Sequence, residues 1–134
     1  MKPVRVGETG PEFVIGPLTR TDFVRYAGAS GDFNPIHHDE EFARSAGLPS
    51  VMAHGMLSAG FLASFVTRWF GAGSVRRYKV RFRERVWPGD VLRAEGRVTE
   101  LVDAKEGRRA RLELSLTRAD GKPVVTGSAE VIVR

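Results

Sequence analysis

Gly55-Met56-Leu57-Ser58-Ala59-Gly60-Phe61-Leu62-Ala63-Ser64-Phe65-Val66-Thr67-Arg68-Trp69-Phe70 is the stretch whose reading decides the fold. Met56, Phe61, Phe65 and Trp69 are among its large apolar residues, interleaved with Gly55, Ala59, Gly60, Ala63 and Ser64. A helix apolar on nearly every side is usually buried in a core. Its small residues would let a sheet or another chain approach its backbone. After Gly73 the apolar period changes to two. Tyr78, Val80, Phe82 and Val86 alternate with Arg77, Lys79, Arg81, Arg83 and Arg85, the pattern of a half-buried strand. Pro88-Gly89-Asp90 makes a turn, and Leu92, Ala94, Gly96 and Val98 predict a second strand. Ala110, Leu112, Leu114 and Leu116 predict a third. Asp120-Gly121 is a hairpin signal, followed by Val125, Gly127, Ala129, Val131 and Val133 in a fourth. One long helix followed by hairpin-linked strands argues for an α+β fold, with an antiparallel sheet wrapped around that helix.

Upstream, Gly7, Gly10-Pro11 and Gly16-Pro17 punctuate a stretch with room for short extended pieces such as Glu12 to Ile15. Thr19 with Asp22 predicts a capped helix start. Phe23, Tyr26 and Ala27 give that helix its apolar face, and Gly28 and Gly31 place its stop nearby. Ser30 to His38 is too rich in turn-formers for regular structure, and Asp39 predicts a cap for a short helix through Ala46.

The chain has 134 residues, 42% hydrophobic, with no internal repeat or linker, so residues 1–134 read as a single domain. It contains no cysteine, which excludes disulfides, thiolate nucleophiles and Cys-ligated zinc. Met56 to Phe70 is interrupted by polar residues and too short for a bilayer span, and the N-terminus lacks the apolar run of a signal peptide. The expectation is a cytoplasmic protein that engages no membrane. The net charge of +5 fits simple solubility or an anionic partner equally. The basic run Arg76 to Arg85 reads as a solvated sheet face or as an attractor for phosphates. Its aromatics fall on the face opposite its cations, so they cannot interleave as a nucleic-acid platform, and no nucleic-acid partner is expected.

Chemistry concentrates in Gly31-Asp32-Phe33-Asn34-Pro35-Ile36-His37, which sets an acid, an amide and an imidazole within six positions. Pro35 restrains itself and Asn34, so the loop can hold side chains in one geometry, as proton transfer requires. Asp32 and His37 suit moving the elements of water, one group taking a proton while the other supplies one. Asn34 can orient either partner or a substrate without changing charge. Read from residue type alone, Asp32 and Asn34 are equally ordinary turn residues, and His37 a packed histidine. A second stretch, Ala53-His54-Gly55-Met56, opens the long helix, where free backbone N–H groups favour negative charge. Gly55 leaves room for a substrate oxygen, the shape of an oxyanion hole, or is simply a glycine at a tight helix start. His54 caps or packs. His37, His38, Asp39 and His54 lack a recognised metal-ligand spacing, so no metal is expected. Ser30, Ser58 and Ser64 sit in no nucleophile elbow.

Tyr26 to His37 resembles the hydratase motif of MaoC-like proteins, the (R)-specific enoyl-CoA hydratases and 3-hydroxyacyl-thioester dehydratases. Ala53-His54-Gly55-Met56-Leu57 is similar to the family's second signature, and Tyr78 to Phe82 and Pro88-Gly89-Asp90 to its usual strand and turn. The resemblance covers nearly the whole chain. It implies a hotdog fold and a hydro-lyase of fatty-acid or related acyl metabolism. Asp32 and His37 would activate water, Asn34 would support substrate or the pair, and the Gly55 N–H would bind the thioester carbonyl. It implies no metal or redox cofactor, coenzyme A or acyl carrier protein being part of the substrate. A homodimer is implied, with a heterodimer with another hotdog subunit as the alternative, because the pattern is similar to the catalytic subunit of mycolic-acid-pathway dehydratases. One departure stands out: some short-chain members carry serine where this chain has Ala63. A hotdog acyl-thioesterase and an acyl-binding subunit of a heteromeric dehydratase are the competing readings.

Overall fold

The long helix and the four strands that follow it form as their periodicities predict. The computed structural model describes residues 3–133, so Met1 and Lys2, which open the N-terminal stretch, lie outside the described residues. β1 (Phe13–Ile15) precedes α1 (Arg20–Ser30), a 3-10 turn (Pro35–His37), α2 (Glu40–Ser45) and α3 (Gly55–Phe70). Then come β2 (Val75–Phe82), β3 (Leu92–Ala104), β4 (Gly107–Arg118) and β5 (Pro123–Val133). The strands pair antiparallel in the order β1-β3-β4-β5-β2. Leu112, Leu116, Val98 and Val131 line the inner face of this sheet and close on Leu62, Phe65 and Val66 of α3, all fully buried. This is the hotdog arrangement: a sheet curved around a central helix. Burying a side chain such as Phe65 contributes about 2–3 kcal/mol.

The helix starts follow local chemistry. Thr19 caps α1 in a reciprocal capping box with Asp22. Gly31 ends α1 in the left-handed region, φ 75°, which favours glycine. Asp39 accepts from the Phe42 N–H and starts α2.

Three expectations need correction. The β2 pattern was read through Val86, but the strand ends at Phe82, where Arg83 and Glu84 N–H both turn to the Val124 carbonyl. Val86 is buried outside the sheet, and its carbonyl accepts from the Ala53 N–H at 2.9 Å. Ser30 to His38 does contain regular structure, the 3-10 turn, because the Asn34 side chain caps the Ile36 N–H and Pro35 supplies the first helical φ. Finally, α3 is not buried all round. Ser58, Ala59, Leu62, Phe65 and Val66 face the sheet, while Met56 is 61% exposed and a Cβ at Gly60 would meet open space. Close approach is also admitted from the sheet side, where a Cβ on Gly96 would lie 2.9 Å from Phe65 and 3.0 Å from Trp69.

Candidate active site

The end of α1, the 3-10 turn and the start of α3 meet at one point. Ser30 Oγ accepts from the Asp32 N–H, Asp32 Oδ1 from the Asn34 N–H at 3.2 Å, and Asn34 Oδ1 from the Ile36 N–H at 3.1 Å. This ladder of side-chain turns holds the loop rigid without a regular helix. Pro35 then delivers His37 onto the segment before α3. There the Met52 N–H donates to the Ile36 carbonyl at 3.1 Å, and His37 Nδ1–H donates to the Met52 carbonyl at 2.7 Å. A carbonyl only accepts, so Nδ1 carries the proton and the neutral ring keeps its lone pair at Nε2. His37 is 6% exposed. Burial pushes its pKa below the ordinary 6.5, against the Met52 carbonyl, which raises it; the nearby His54 lowers it further, and Asp32 opposes that. The neutral, proton-accepting form is therefore favoured.

Ligating atoms of Asp32, His37 and His54 lie within 4.8 Å of one another. The rings of His37 and His54 stack, centroids 3.6 Å apart and planes 23° from parallel. A metal ion must lie in the plane of each imidazole that binds it, and the lone pairs of stacked rings do not converge. The cluster suits proton transfer better than metal ligation. His38, by contrast, turns away to the Phe33 carbonyl, and Asp39 is spent on its helix cap.

Gly55 is the first residue of α3, where N–H groups have no partner within the helix and carry the positive end of its dipole. It borders a cleft of about 390 Å³ shared with Met52, Ala53, Ser58, Phe82 and Val125. Arg83 and Arg85 line the same cleft, whereas Lys79 and Arg81 line a larger groove, about 1120 Å³, on the opposite face of the sheet. The basic run is thus split by the end of β2. The larger groove holds no histidine. Its walls carry opposite charges at Arg93 and Glu95 and at Arg97 and Glu113, and nothing in it could move a proton as an imidazole does.

Sequence reasoning brought out Asp32, His37, Asn34 and Gly55, and the fold gathers them at this junction. Asn34 is engaged as a cap through Oδ1. The same reasoning misses Phe82 and leaves His54 open between capping and packing. Phe82 lies against Gly55, an Å-scale contact between the end of a strand and the start of a helix that no local pattern announces. His54, read as a cap or packing residue, makes no side-chain cap bond and instead covers the face of His37.

The family profile described as MaoC like domain matches residues 5–119. The chain is similar to an (R)-specific enoyl-CoA hydratase of Rhodospirillum rubrum, 35% identical over 118 residues that cover 87% of this chain and 80% of the relative. It is also similar to a 3-hydroxybutyryl-CoA dehydratase of Methylorubrum extorquens, 36% identical over 124 residues, 91% of this chain and 77% of the relative. Among solved structures, the (R)-hydratase of A. caviae involved in PHA biosynthesis superposes with a TM-score of 0.88 at 27% identity, with full coverage of both chains.

Proposed function

The chain belongs to the MaoC-like dehydratase family, and from that premise we propose that it reversibly hydrates trans-2-enoyl thioesters to (3R)-3-hydroxyacyl thioesters, with Asp32 and His37 as the catalytic pair. One observation carries the assignment of the pair: the buried His37, its Nδ1 proton committed to Met52, keeps a free Nε2 lone pair on a ring that has a nitrogen within 4.8 Å of an Asp32 carboxylate oxygen.

In this scheme the acyl chain lies in the cleft with its thioester carbonyl on the Gly55 N–H. Water is held between Asp32 and His37. His37 Nε2 accepts a proton as the water oxygen bonds to C3. The C2–C3 π pair moves through C2 to the carbonyl, and the Gly55 N–H stabilises the negative charge that forms on oxygen. Protonation of C2 from the Asp32–His37 pair completes the addition and returns the pair to its starting state. Dehydration is the reverse. Atoms balance with water alone, so the scheme calls for no redox group or metal. Asn34 supports the substrate side of the loop while it caps the 3-10 turn.

Coenzyme A or an acyl carrier protein bears the thioester, and Arg83 and Arg85 beside the cleft fit the phosphates common to both. The whole chain acts as one domain. The open face of α3, with Met56 and Gly60 exposed, supports a homodimer or pairing with another hotdog subunit. Among the described residues no helix is long and apolar enough to cross a membrane, and the lack of cysteine fits action in the cytoplasm.

The test follows the ultraviolet absorbance of the conjugated enoyl group in crotonyl-CoA and a longer enoyl-CoA, with wild type and Asp32→Asn in parallel. Loss of signal with wild type alone is expected. Release of free thiol without hydration would replace the proposal with a thioesterase.

A further inference from the structure

His54 is buried, 2% exposed, and the hydration scheme leaves it without a task. Its Nε2–H donates to the backbone carbonyl of Asp32 at 3.0 Å, so Nε2 carries the proton. Nδ1 is left buried with no hydrogen-bond partner among the described residues. An unpaired buried nitrogen costs free energy, and a plain apolar ring would pack there without that cost. The cost is therefore offset by something the imidazole alone supplies at this point.

Two hydrogen bonds cross between the same two segments. His37, on the 3-10 turn, donates to Met52 before α3. His54, at the start of α3, donates back to Asp32 after α1. The two donor rings stack face to face, and Tyr26 of α1 also packs on His54 in an edge arrangement, ring centroids 4.9 Å apart. Asp32 itself is exposed, and the bonds inside its loop are all local, so they shape the loop without tying it to the helix. The His54 bond does tie it.

We propose that His54 is a positioning residue: its Nε2–H anchors the Asp32 backbone to the start of α3, setting the distance from the Asp32 carboxylate to the Gly55 N–H, while its ring fixes the plane of His37. The inference rests on the hydratase reading above. It assigns His54 no contact with substrate. Its effect is on the geometry of the reacting groups, where displacement by about 1 Å can cost on the order of 100-fold in rate.

The test pairs His54→Phe, which keeps a ring but no donor, with His54→Gln, whose side-chain amide can restore the bond to Asp32. His54→Phe is expected to lower kcat for crotonyl-CoA hydration at least tenfold with KM nearly unchanged, and His54→Gln to recover most of that loss. Full kcat in His54→Phe, or a Gln variant as slow as the Phe variant, overturns the proposal. If Phe is not accommodated, His54→Met replaces it, since Met and Gln are similar in length and differ in the donor. Imidazole ¹⁵N spectra of the wild type provide a readout independent of turnover: His54 is expected as the Nε2–H tautomer and His37 as Nδ1–H. The opposite tautomer at His54 refutes the anchor even if the chain proves to have another activity. Inactive wild type with the expected tautomers refutes the hydratase reading and leaves the anchor supported.

Discussion

Phe82, the last residue of β2, lies against Gly55, the first of α3, so closely that a Cβ on Gly55 would stand 3.1 Å from the Phe82 ring. Gly55 needs no unusual backbone angle, since it is absent from the positive-φ glycines of the chain. Its reason is the space beside its N–H. Phe82 is 54% exposed and can give way, and alanine is a better helix former than glycine. Gly55→Ala is therefore expected to leave the melting temperature within a few degrees while lowering kcat by about tenfold or more, because the methyl group crowds the carbonyl oxygen off its donor. Thermal melts beside hydration kinetics check it, and a variant that merely unfolds would make the glycine structural.

Asp32→Asn and His37→Ala should separate chemistry from stability. Asn keeps a carbonyl oxygen that can accept from the Asn34 N–H, so the loop survives while turnover falls by roughly 100-fold or more. His37→Ala loses as much activity and also strands the Met52 carbonyl, costing about 1–3 kcal/mol. Denaturant unfolding of both variants should show the second alone destabilised.

Acidification has a defined sign. The His37 pKa is lowered from 6.5, chiefly by burial, so the unfolded chain takes up this proton at a higher pH than the folded one. The stability contribution of neutral His37 is thus present above about pH 6.5, declines as pH falls below it, and levels off below the folded-state value. The hydration rate, which needs the free Nε2 lone pair, should hold through pH 6.5 and fall only below it. A pH–rate profile whose acid limb sits above 6.5 would remove His37 as the proton acceptor.

Gly96→Ala tests the fold away from the site. The new methyl would press at 2.9–3.0 Å on Phe65 and Leu114 in the packed core and on Trp69, which packs against that core. Overpacking of this kind costs about 1–3 kcal/mol. The expected result is a lower melting temperature with kcat per folded molecule unchanged.

Adjacent residues carry enough information to place α3, the caps at Thr19 and Asp39, and the alternating strands, because a helix or strand face is written in the period of its own side chains. The same local reading singled out Asp32, Asn34, His37 and Gly55, since a stiff loop and a helix start are local features. It overran β2 at Val86, where the turn of the chain toward Val124 depends on a strand elsewhere in the sequence. It also placed α3, apolar on nearly every side, wholly in the core, because apolar residues state what can be covered but not how far one sheet reaches around. Tertiary structure alone decided that His54 covers His37 and grips Asp32, that Phe82 borders Gly55, and that Arg83 and Arg85 line the cleft while Lys79 and Arg81 do not. Each of these is a contact between segments distant in the chain, set by how the sheet curves over the helix, and no periodicity within either segment encodes it.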